Sequence, residues 1–516
     1  MRPRWEWLVA VWHPLAFAAW PVVNLYQDNV GHTPPHEAVS LVGLCAGSAA
    51  AILVILALAL RDIARGALAA SVVVLAIMLW GPARDALGDP GWLFWVWLLA
   101  ALVLAALLVR SATIVRELTT VAAAMATIVL VLALVPLVRA RFDATAAEAA
   151  PVAAENLEEE VGEWSAPGEP RDIFYLVFDR YGSQAAMERR WNMDLDPFFR
   201  GLEQRGFVVT PHSKANHLRT AQSLSSTFNL KYHHDLAQRY GPDTGNMLPV
   251  YQLLEDHAVG RLLARRGYEY VHIGAWWDPT QGNRNADVNW SYERWEDFTL
   301  ELFRSTLISH FERRPQGRSL GEQRRRLPYD GAFQQFRNLR RAAARPGPTF
   351  TFAHILLPHE PFVFDRNGNY ISLEEEGARG RDLNYREQTL FTNELIERLL
   401  DDLLAVPEAQ RPIIVLSADE GPHPVRFKAD EENFDWTRAT DDELEEKLAI
   451  LNAYYLPGPR SEPDLYDSIS PVNTWRVIFN SYFGANLPLV ADRTFIFRDE
   501  NHVYDFTDVT QRVSTP

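Results

Sequence analysis

Two adjacent acidic residues, Asp419 and Glu420, come at the end of a short apolar run and are the first candidates for chemistry in this sequence. The run Pro412–Asp419 is bounded by turn-forming residues, which is typical of a buried strand in a parallel sheet. In open α/β sheets, ligands bind beyond the carboxyl ends of the strands. Two carboxylates there are costly to bury unless a cation binds them, so they predict a divalent-metal site. A solvated corner between strand and loop is the alternative.

Further polar residues follow other predicted strands. Asp179 ends the run Asp172–Asp179, and His359 directly follows the run Thr349–Pro358. Because the carboxyl ends of neighbouring parallel strands meet at one edge, these side chains would converge with Asp419. Taken singly, Asp179 also fits a turn or a helix cap, and His359 fits a loop between prolines.

A hydroxyl group is predicted at the start of a helix. Leu224 and Phe228 have helical spacing, which predicts that a helix begins near Thr220. The free N–H groups and the positive dipole end at such a position favour an anion. Threonine is a weak nucleophile unless it is deprotonated, and a bound metal ion can achieve that. The alternative is a helix cap without a chemical role.

The first 142 residues are strongly apolar and predict a membrane domain. Five stretches are each about long enough to cross a bilayer as a helix. They are Trp7–Gln27, Ala38–Leu60, Gly66–Ala83, Pro90–Val109 and Leu118–Val138. A cleaved signal peptide is the alternative for the first stretch. Residues 143–170 predict an acidic, Ala- and Pro-rich linker that leads to a second domain at 171–516.

Arginine placement predicts the orientation of these helices, because cytoplasmic loops carry the excess of basic residues. The larger group of arginines is expected in the cytoplasm and comprises Arg2, Arg4, Arg61, Arg65, Arg110 and Arg116. With five crossings, the residues after Arg141 lie outside the cytoplasm. The sequence therefore predicts a multi-pass protein of the cell membrane with an extracytoplasmic C-terminal domain.

Charge and cysteine content exclude several classes of protein. The formal charge is −16, and the first 142 residues hold nine arginines, no lysine and seven acidic residues. The acidic excess therefore belongs to the second domain, which argues against nucleic acid as a partner. The single cysteine, Cys45, lies in the second span, so the second domain has neither a disulfide nor a cysteine nucleophile. The spans hold few charged residues, which argues against a transporter.

From Arg171 onward, predicted strands alternate with predicted helices. This pattern predicts an α/β domain with a mostly parallel central sheet, attached to an all-α transmembrane bundle. The predicted strands are Asp172–Asp179, Phe207–Thr210, Tyr268–Gly274, Thr349–Pro358, Pro412–Asp419 and Ala453–Pro457. The predicted helices include Pro197–Arg205, Ala221–Asn229, Leu253–Arg266 and Tyr385–Ala405.

Together these features resemble the alkaline phosphatase/sulfatase superfamily. The resemblance is carried by a strand-end acid, a threonine that opens a helix after a basic residue, the turn at 358–362, and a late strand ending in Asp-x-Gly. Membrane spans followed by such a domain are similar to lipoteichoic acid synthases and related membrane-anchored phosphotransferases. The resemblance implies a metal-dependent phosphotransferase or hydrolase that acts on lipid head groups or glycans of the cell envelope.

The resemblance also implies roles for individual residues. Asp179, Thr220, Asp419 and Glu420 would hold one divalent metal ion, and Thr220 would also be the nucleophile. His359 would contact a phosphate oxygen or the leaving group.

Three further residues would bind the substrate: Arg219, Arg180 and Trp277. For Trp277, packing over the core or at the membrane interface is the alternative.

One departure from the family pattern affects the metal site. The family usually has Asp-His where this chain has Asp419-Glu420. A carboxylate in place of an imidazole favours manganese, magnesium or calcium over zinc, although His423 could supply the missing imidazole.

Two alternative functions remain open. Glu420 and Arg180 also fit a catalytically degenerate sulfatase-like membrane protein with a structural or regulatory role. Sulfatase activity fits less well, because the second domain has no cysteine and the segment around Thr220 lacks a Cys/Ser-x-Pro-x-Arg pattern.

Overall fold

The computed structural model describes residues 4–30, 32–88, 90–110, 112–147, 169–292, 297–311, 320–458 and 465–513. The chain divides into two compact units. The first comprises Met1–Ala150 and Trp295–Leu320, and the second comprises Pro151–Arg294 and Gly321–Pro516. Residues 148–168 of the predicted linker at 143–170 lie outside the described residues. The segment 295–320, which the sequence placed in the second domain, is grouped with the first unit.

The helices are named in chain order. They are α1 (Arg4–Asp28), α2 (Pro35–Leu60), α3 (Ile63–Met78), α4 (Trp80–Leu87), α5 (Leu93–Leu108), α6 (Ala112–Ala147), α7 (Gln184–Trp191), α8 (Asp196–Gln204), α9 (Thr220–Phe228), α10 (His234–Tyr240), α11 (Leu248–Glu255), α12 (Ala258–Ala264), α13 (Asp297–Arg304), α14 (Leu320–Ala343), α15 (Leu373–Arg379), α16 (Arg381–Leu404), α17 (Val425–Ala429), α18 (Asp441–Leu448), α19 (Thr474–Phe483) and α20 (Thr510–Val513). Short 3₁₀ turns occur at Asp278–Thr280, Leu307–Phe311, Glu408–Gln410, Trp436–Arg438 and Pro471–Asn473.

Three helical stretches of the first unit are long and apolar enough to cross a membrane. They are Trp7–Asp28, Pro35–Leu60 and Ile114–Val138. The pair α3 and α4 would give a fourth span if this pair, bent by 49°, crosses as one. Helix α5 is apolar but has only 16 residues. The described residues thus give three or four candidate spans where the sequence predicted five, because the third predicted span bends just before Pro82 and the fourth becomes helical only at Leu93.

The second unit is built on a seven-stranded sheet in the order β2-β7-β6-β1-β5-β3-β4. Its strands are β1 (Ile173–Phe178), β2 (Val208–Val209), β3 (Glu269–Ile273), β4 (Val288–Trp290), β5 (Thr349–Ile355), β6 (Ile413–Ser417) and β7 (Asn452–Tyr455), and a separate pair is β8 (Phe495–Ile496) with β9 (Thr507–Asp508). Strand β1 is parallel to both β5 and β6, whereas β7 is antiparallel to β6 and β2. The predicted mostly parallel sheet is confirmed.

Residues of β1 point alternately into two hydrophobic cores. Phe174, Leu176 and Phe178 belong to one core. Ile173, Tyr175 and Val177 belong to the other. Since β1, β5 and β6 are buried along their whole length, the sheet is covered on both faces at its centre, as parallel sheets require. The carboxyl ends of these three strands are therefore fixed rigidly beside one another.

One predicted helix, Leu253–Arg266, is wrong as a single element. The chain instead forms α11 and α12, with a break at Asp256 and His257. The break is stabilised by His257, whose Nδ1 accepts a hydrogen bond from the backbone N–H of Gly260, 2.9 Å away, and so caps α12. Apolar spacing continues across the break, so the periodicity alone did not reveal it.

Candidate active site

Three side chains from adjacent strands meet at the carboxyl edge of the sheet. Asp179 directly follows β1, and Asp419 lies two residues beyond β6. His354 lies within β5, paired in register with Val177 of β1. One ligand atom from each side chain lies within 4.8 Å of the others, so one metal ion could bind all three.

The polar atoms of this group are buried and lack hydrogen-bond partners in the described part of the chain. Asp179 and Asp419 are each 2% exposed, and His354 is fully buried. The orphaned atoms are Asp179 Oδ1, His354 Nε2 and both carboxylate oxygens of Asp419. Buried polar groups are rarely left unsatisfied, so these atoms fit a cation bound between them.

Contacts with neighbouring side chains hold the imidazole of His354 in position. Its Nδ1 lies 2.9 Å from the hydroxyl oxygen of Thr280, and its Nε2 lies 3.4 Å from Asp179 Oδ2. If Nδ1–H donates to Thr280, Nε2 carries the lone pair that a metal ion needs. The ring of Trp277 packs edge-on against the imidazole, with centroids 5.7 Å apart. These contacts orient the imidazole toward Asp179.

Repulsion between the acidic side chains also indicates that a cation binds to this group. Burial raises the pKa of Asp419 well above its usual value, and repulsion from Asp179 and Glu420 adds to that. Burial opposes ionisation of Asp179 as well, but interactions with His359, His354 and Arg180 outweigh burial and lower the pKa of Asp179. A divalent cation between the two carboxylates would remove this repulsion.

Glu420 contacts basic side chains and not the Asp179–His354–Asp419 group. Its Oε1 accepts hydrogen bonds from Lys447 Nζ at 2.7 Å and His423 Nε2 at 2.9 Å, and it lies 3.4 Å from Arg180 Nε. Burial would raise the pKa of Glu420, but Lys447 and Arg180 outweigh burial and lower it. Glu420 is therefore an ionised partner of buried cations and is not part of the Asp179–His354–Asp419 group.

Lys447 is a buried cation at the site that no sequence pattern indicated. It lies in the last turn of α18, is 2% exposed, and reaches Glu420. Burial lowers the pKa of Lys447 to about 8, an effect that Glu420 partly opposes. In the sequence, Lys447 belongs to a run of charged residues that is typical of a solvated helix face, so no pattern distinguished it.

Arg180 lies at the site and pairs with two acidic side chains. Its guanidinium binds Glu360 as well as Glu420. Its φ of 62° is unusual for a residue other than glycine, and the conformation is supported by a 2.7 Å hydrogen bond from Tyr385 Oη to its carbonyl. The strand-end turn therefore directs Arg180 toward two carboxylates.

Thr220 is the first residue of α9, where the sequence predicted the helix start. Its hydroxyl interacts with the Asp419 carboxylate and lowers the pKa of Asp419 slightly against the larger raising effects, although no hydrogen bond of good geometry joins them. The N-cap residue, Arg219, gives the helix no side-chain cap, so the first N–H groups of α9 are not capped by it.

A cavity of about 190 Å³ lies over this edge of the sheet. Its walls include all but one of the residues that the sequence singled out for chemistry: Asp179, Arg180, Arg219, Thr220, Trp277, His359, Glu420 and His423. The exception is Asp419, whose carboxylate interacts with the side chain of Thr220 on the cavity wall. Arg219 forms an ion pair with Glu500 on the cavity wall. All the site residues that the sequence proposed except Asp419 therefore line one cavity.

His359 lies on the cavity wall. Its Nδ1 contacts the carbonyl oxygen of Glu360. Because a carbonyl oxygen can only accept, this contact favours the tautomer with the hydrogen on Nδ1 and a lone pair on Nε2. Burial and the nearby Arg180 lower the pKa of His359, which keeps it neutral at pH 7. A neutral imidazole in a polar cavity can accept a proton.

Comparison with known proteins agrees with this architecture. A protein-family profile described as "Sulfatase" matches residues 171–449. No curated protein sequence gives a significant match.

Several solved structures resemble the chain. The C-terminal periplasmic domain of EcEptC from Escherichia coli is 13% identical, covers 65% of this chain and 92% of its own, and gives a TM-score of 0.43. The soluble domain of lipooligosaccharide phosphoethanolamine transferase A from Neisseria meningitidis is 13% identical, with 57% and 79% coverage and a TM-score of 0.32. An alkaline phosphatase superfamily protein from Vibrio parahaemolyticus is 12% identical, with 68% and 78% coverage and a TM-score of 0.39.

Proposed function

The chain belongs to the sulfatase family, and on this premise we propose that it is a metal-dependent phosphotransferase or hydrolase. Its substrates are phosphoesters of envelope lipids or glycans, and Thr220 is its nucleophile. The observation that carries the proposal is the buried group of Asp179, His354 and Asp419, whose orphaned ligand atoms lie beside the Thr220 cavity. The membrane unit supports a substrate that is held in or near a bilayer.

The residues that would hold the metal ion are Asp179, His354 and Asp419, with Thr220 as a further ligand. A divalent cation there would supply positive charge that favours ionisation of a hydroxyl group and polarises a phosphoryl oxygen. Two carboxylates with one imidazole form a harder donor set than the cysteine-rich sites of structural zinc. We therefore propose manganese, magnesium or calcium before zinc, with the imidazole supplied by His354 and not by His423.

The reaction uses residues on the cavity wall. The Thr220 oxygen bonds to phosphorus, and the bond from phosphorus to the leaving alcohol breaks. Neutral His359 accepts the Thr220 proton at Nε2 and returns it to the departing oxygen. The oxygen of an acceptor hydroxyl or water then bonds to phosphorus, the bond from phosphorus to the Thr220 oxygen breaks, and the acceptor's proton passes through His359 to Thr220. Arg219 and the uncapped first turn of α9 bind the phosphoryl oxygens.

Metal content tests the proposal. The full-length protein is purified in detergent, incubated with manganese, magnesium and calcium, and analysed beside Asp179→Asn and Asp419→Asn. The matched control is Asp243→Asn, a carboxylate that is 83% exposed. We expect near-stoichiometric metal in the parent and the control and little in the two site variants. A metal-free parent would overturn the mechanism.

Trapping of the covalent intermediate tests the role of Thr220. The parent protein is incubated with a phospholipid that is labelled in its head group, and the peptides are examined by mass spectrometry. We expect a phosphodiester-linked head group on the peptide that contains Thr220 and none in Thr220→Val. Labelling of any other residue would reject Thr220 as the nucleophile.

A second candidate is a catalytically inactive membrane protein. The observation that favours it is the ion-pair network of Glu420, Lys447 and Arg180, which places internal cations where relatives keep a metal-binding imidazole. Under this alternative the parent protein would contain no metal, and Asp179→Asn would leave its cellular role unchanged.

A further inference from the structure

The segment 297–311 stands apart from its neighbours in the sequence. Residues before and after it belong to the second unit, yet the segment itself belongs to the first. It consists of α13 and the 3₁₀ turn Leu307–Phe311. We propose that this segment is a membrane-interface anchor, whose apolar side lies in the boundary between lipid head groups and acyl chains.

Helix α13 packs on the membrane helices through one face. Phe298 and Leu302, four residues apart, are each 5% exposed and join a core with Val22, Tyr26 and Leu41. The rings of Phe298 and Tyr26 meet edge-on with centroids 6.1 Å apart. The opposite face of α13 is polar, since Glu301 and Arg304 are about half exposed and lie 3.5 Å apart. This division between an apolar and a polar face is typical of a helix that lies along an interface.

The turn after α13 contacts a second pair of helices. Leu307 is buried in a cluster with Trp80, Leu93 and Phe94. The His310 ring stacks on Phe94 with centroids 3.8 Å apart.

The backbones also approach closely at this turn. The Gly81 N–H donates to the Ser305 carbonyl at 2.7 Å, and a Cβ on Gly81 would lie 2.7 Å from Ser305 Cα. The segment is therefore an integral part of the helical unit.

All of these contacts lie at one end of the bundle. They involve the last turns of α1, the first turns of α2 and α5, and the start of α4. Arg61 directly follows the other end of α2, and Arg110 follows the other end of α5. Because basic residues mark the cytoplasmic side, the segment covers the extracytoplasmic ends of the helices.

The exposed side of the turn is apolar. Ile308 is 49% exposed and Phe311 is 66% exposed. Three residues apart in a 3₁₀ turn, they share one face. Nearby at the start of α5, Trp92 is 58% exposed and Trp95 is 69% exposed. Tryptophan in this position is typical of the membrane–water interface, so the apolar face of the turn continues the lipid-facing surface of the spans.

Fluorescence quenching in vesicles tests the proposal. Cys45 is first replaced by alanine, and single cysteines are introduced into the full chain as Ile308→Cys and Phe311→Cys. Leu58→Cys, at a position that is 75% exposed on α2, is the lipid-facing reference. Glu301→Cys, on the polar face of α13, is the control within the segment itself. Each variant carries an environment-sensitive fluorophore and is reconstituted into phosphatidylglycerol/phosphatidylethanolamine vesicles.

We expect brominated lipids to quench the labels at 308 and 311 about as strongly as the label at 58, and aqueous iodide to quench them several-fold less than the label at 301. Strong iodide quenching at 308 and 311 without lipid quenching would overturn the proposal. Protection from both quenchers would also overturn it, because it would indicate that another protein surface covers the segment. Both substituted residues are exposed, and Phe311→Cys additionally removes an edge-on ring contact with Phe94, with centroids 5.3 Å apart, which Ile308→Cys leaves in place.

Discussion

At the scale of single residues, the chemistry of the site depends on which side chains belong to the Asp179–His354–Asp419 group and which form ion pairs beside it. Asp179 and Asp419 were accessible to sequence reasoning because each ends a continuous apolar run. His354 was missed because it lies inside such a run, where a lone histidine is more often a core residue. Glu420 was proposed as a ligand by resemblance, but its contacts with Lys447 depend on a helix that is distant in the sequence.

Thr280 is expected to position His354, because its hydroxyl lies 2.9 Å from Nδ1. We predict that Thr280→Val lowers metal affinity by roughly tenfold or more, since residues that hydrogen-bond to a metal ligand typically contribute that much. Titration with manganese measures the change. Thr280→Ser, which keeps the hydroxyl, should restore most of the affinity.

The matched control for this prediction is Thr389→Val. The Thr389 hydroxyl donates to the Tyr385 carbonyl within α16 and not to the metal group. Equal losses of affinity in both variants would show that Thr280 acts through general stability alone.

Glu446 gives the fold a dependence on pH. Burial raises the pKa of Glu446 to about 7, against the opposing effects of Arg190 and Arg381. The folded state therefore holds a proton that the unfolded chain releases near pH 4.5, so the contribution of Glu446 to stability is largest at low pH and is lost as pH rises from about 4.5 through 7. This loss of folding free energy is on the order of 3 kcal/mol.

We predict that Glu446→Gln removes this loss and raises the melting temperature at pH 8 more than at pH 5. Thermal unfolding of the full chain in detergent measures both values. Glu203→Gln, an exposed glutamate, is the control and should leave the pH profile unchanged. An unchanged profile in Glu446→Gln would contradict the assignment.

At the scale of elements, the sheet was largely predictable and its finer parts were not. All six predicted strands occur, because each is a continuous or alternating apolar run between turn signals. The short strands β4, β8 and β9 were not predicted. The order of the strands, which places His354 beside Asp179, depends on contacts between distant segments that no local pattern contains.

The loop after β6 depends on its close approach to α18. The Gly421 N–H donates to the Lys447 carbonyl at 2.7 Å, and a Cβ on Gly421 would lie 2.3 Å from the Glu446 carbonyl oxygen. We predict that Gly421→Ala forces the loop away from α18, destabilises the protein by about 1–3 kcal/mol and weakens metal binding. Gly377→Ala, where a Cβ meets nothing within 4 Å, is the control. Thermal unfolding and metal titration measure both effects.

At the scale of the whole molecule, the apolar helices and the placement of arginines predict a multi-pass membrane protein whose second unit lies outside the cytoplasm. Single cysteines in the Cys45→Ala chain test this arrangement in cells. We predict that a membrane-impermeant maleimide labels Asp243→Cys in intact cells once the outer permeability barrier is opened. Arg61→Cys, in the exposed connection after α2, should be labelled only after the cells are lysed.

Labelling of the two positions in the reverse order would contradict the predicted orientation. Labelling of both in intact cells would place Arg61 on the outer side and leave an even number of crossings between the two positions. Either result would also remove the orientation argument for the segment 297–311.

The strand order has a consequence for how the protein is made. Arg180 and Glu420, which face each other across the site, are 240 residues apart in the chain. A ribosome releases the strand that bears Asp179 long before those that bear His354 and Asp419, so this part of the sheet has high contact order and forms late. The emerging chain therefore cannot bring Asp179, His354 and Asp419 together until the end of β6 has been synthesised. The proposed metal site is thus completed only after most of the chain has been made.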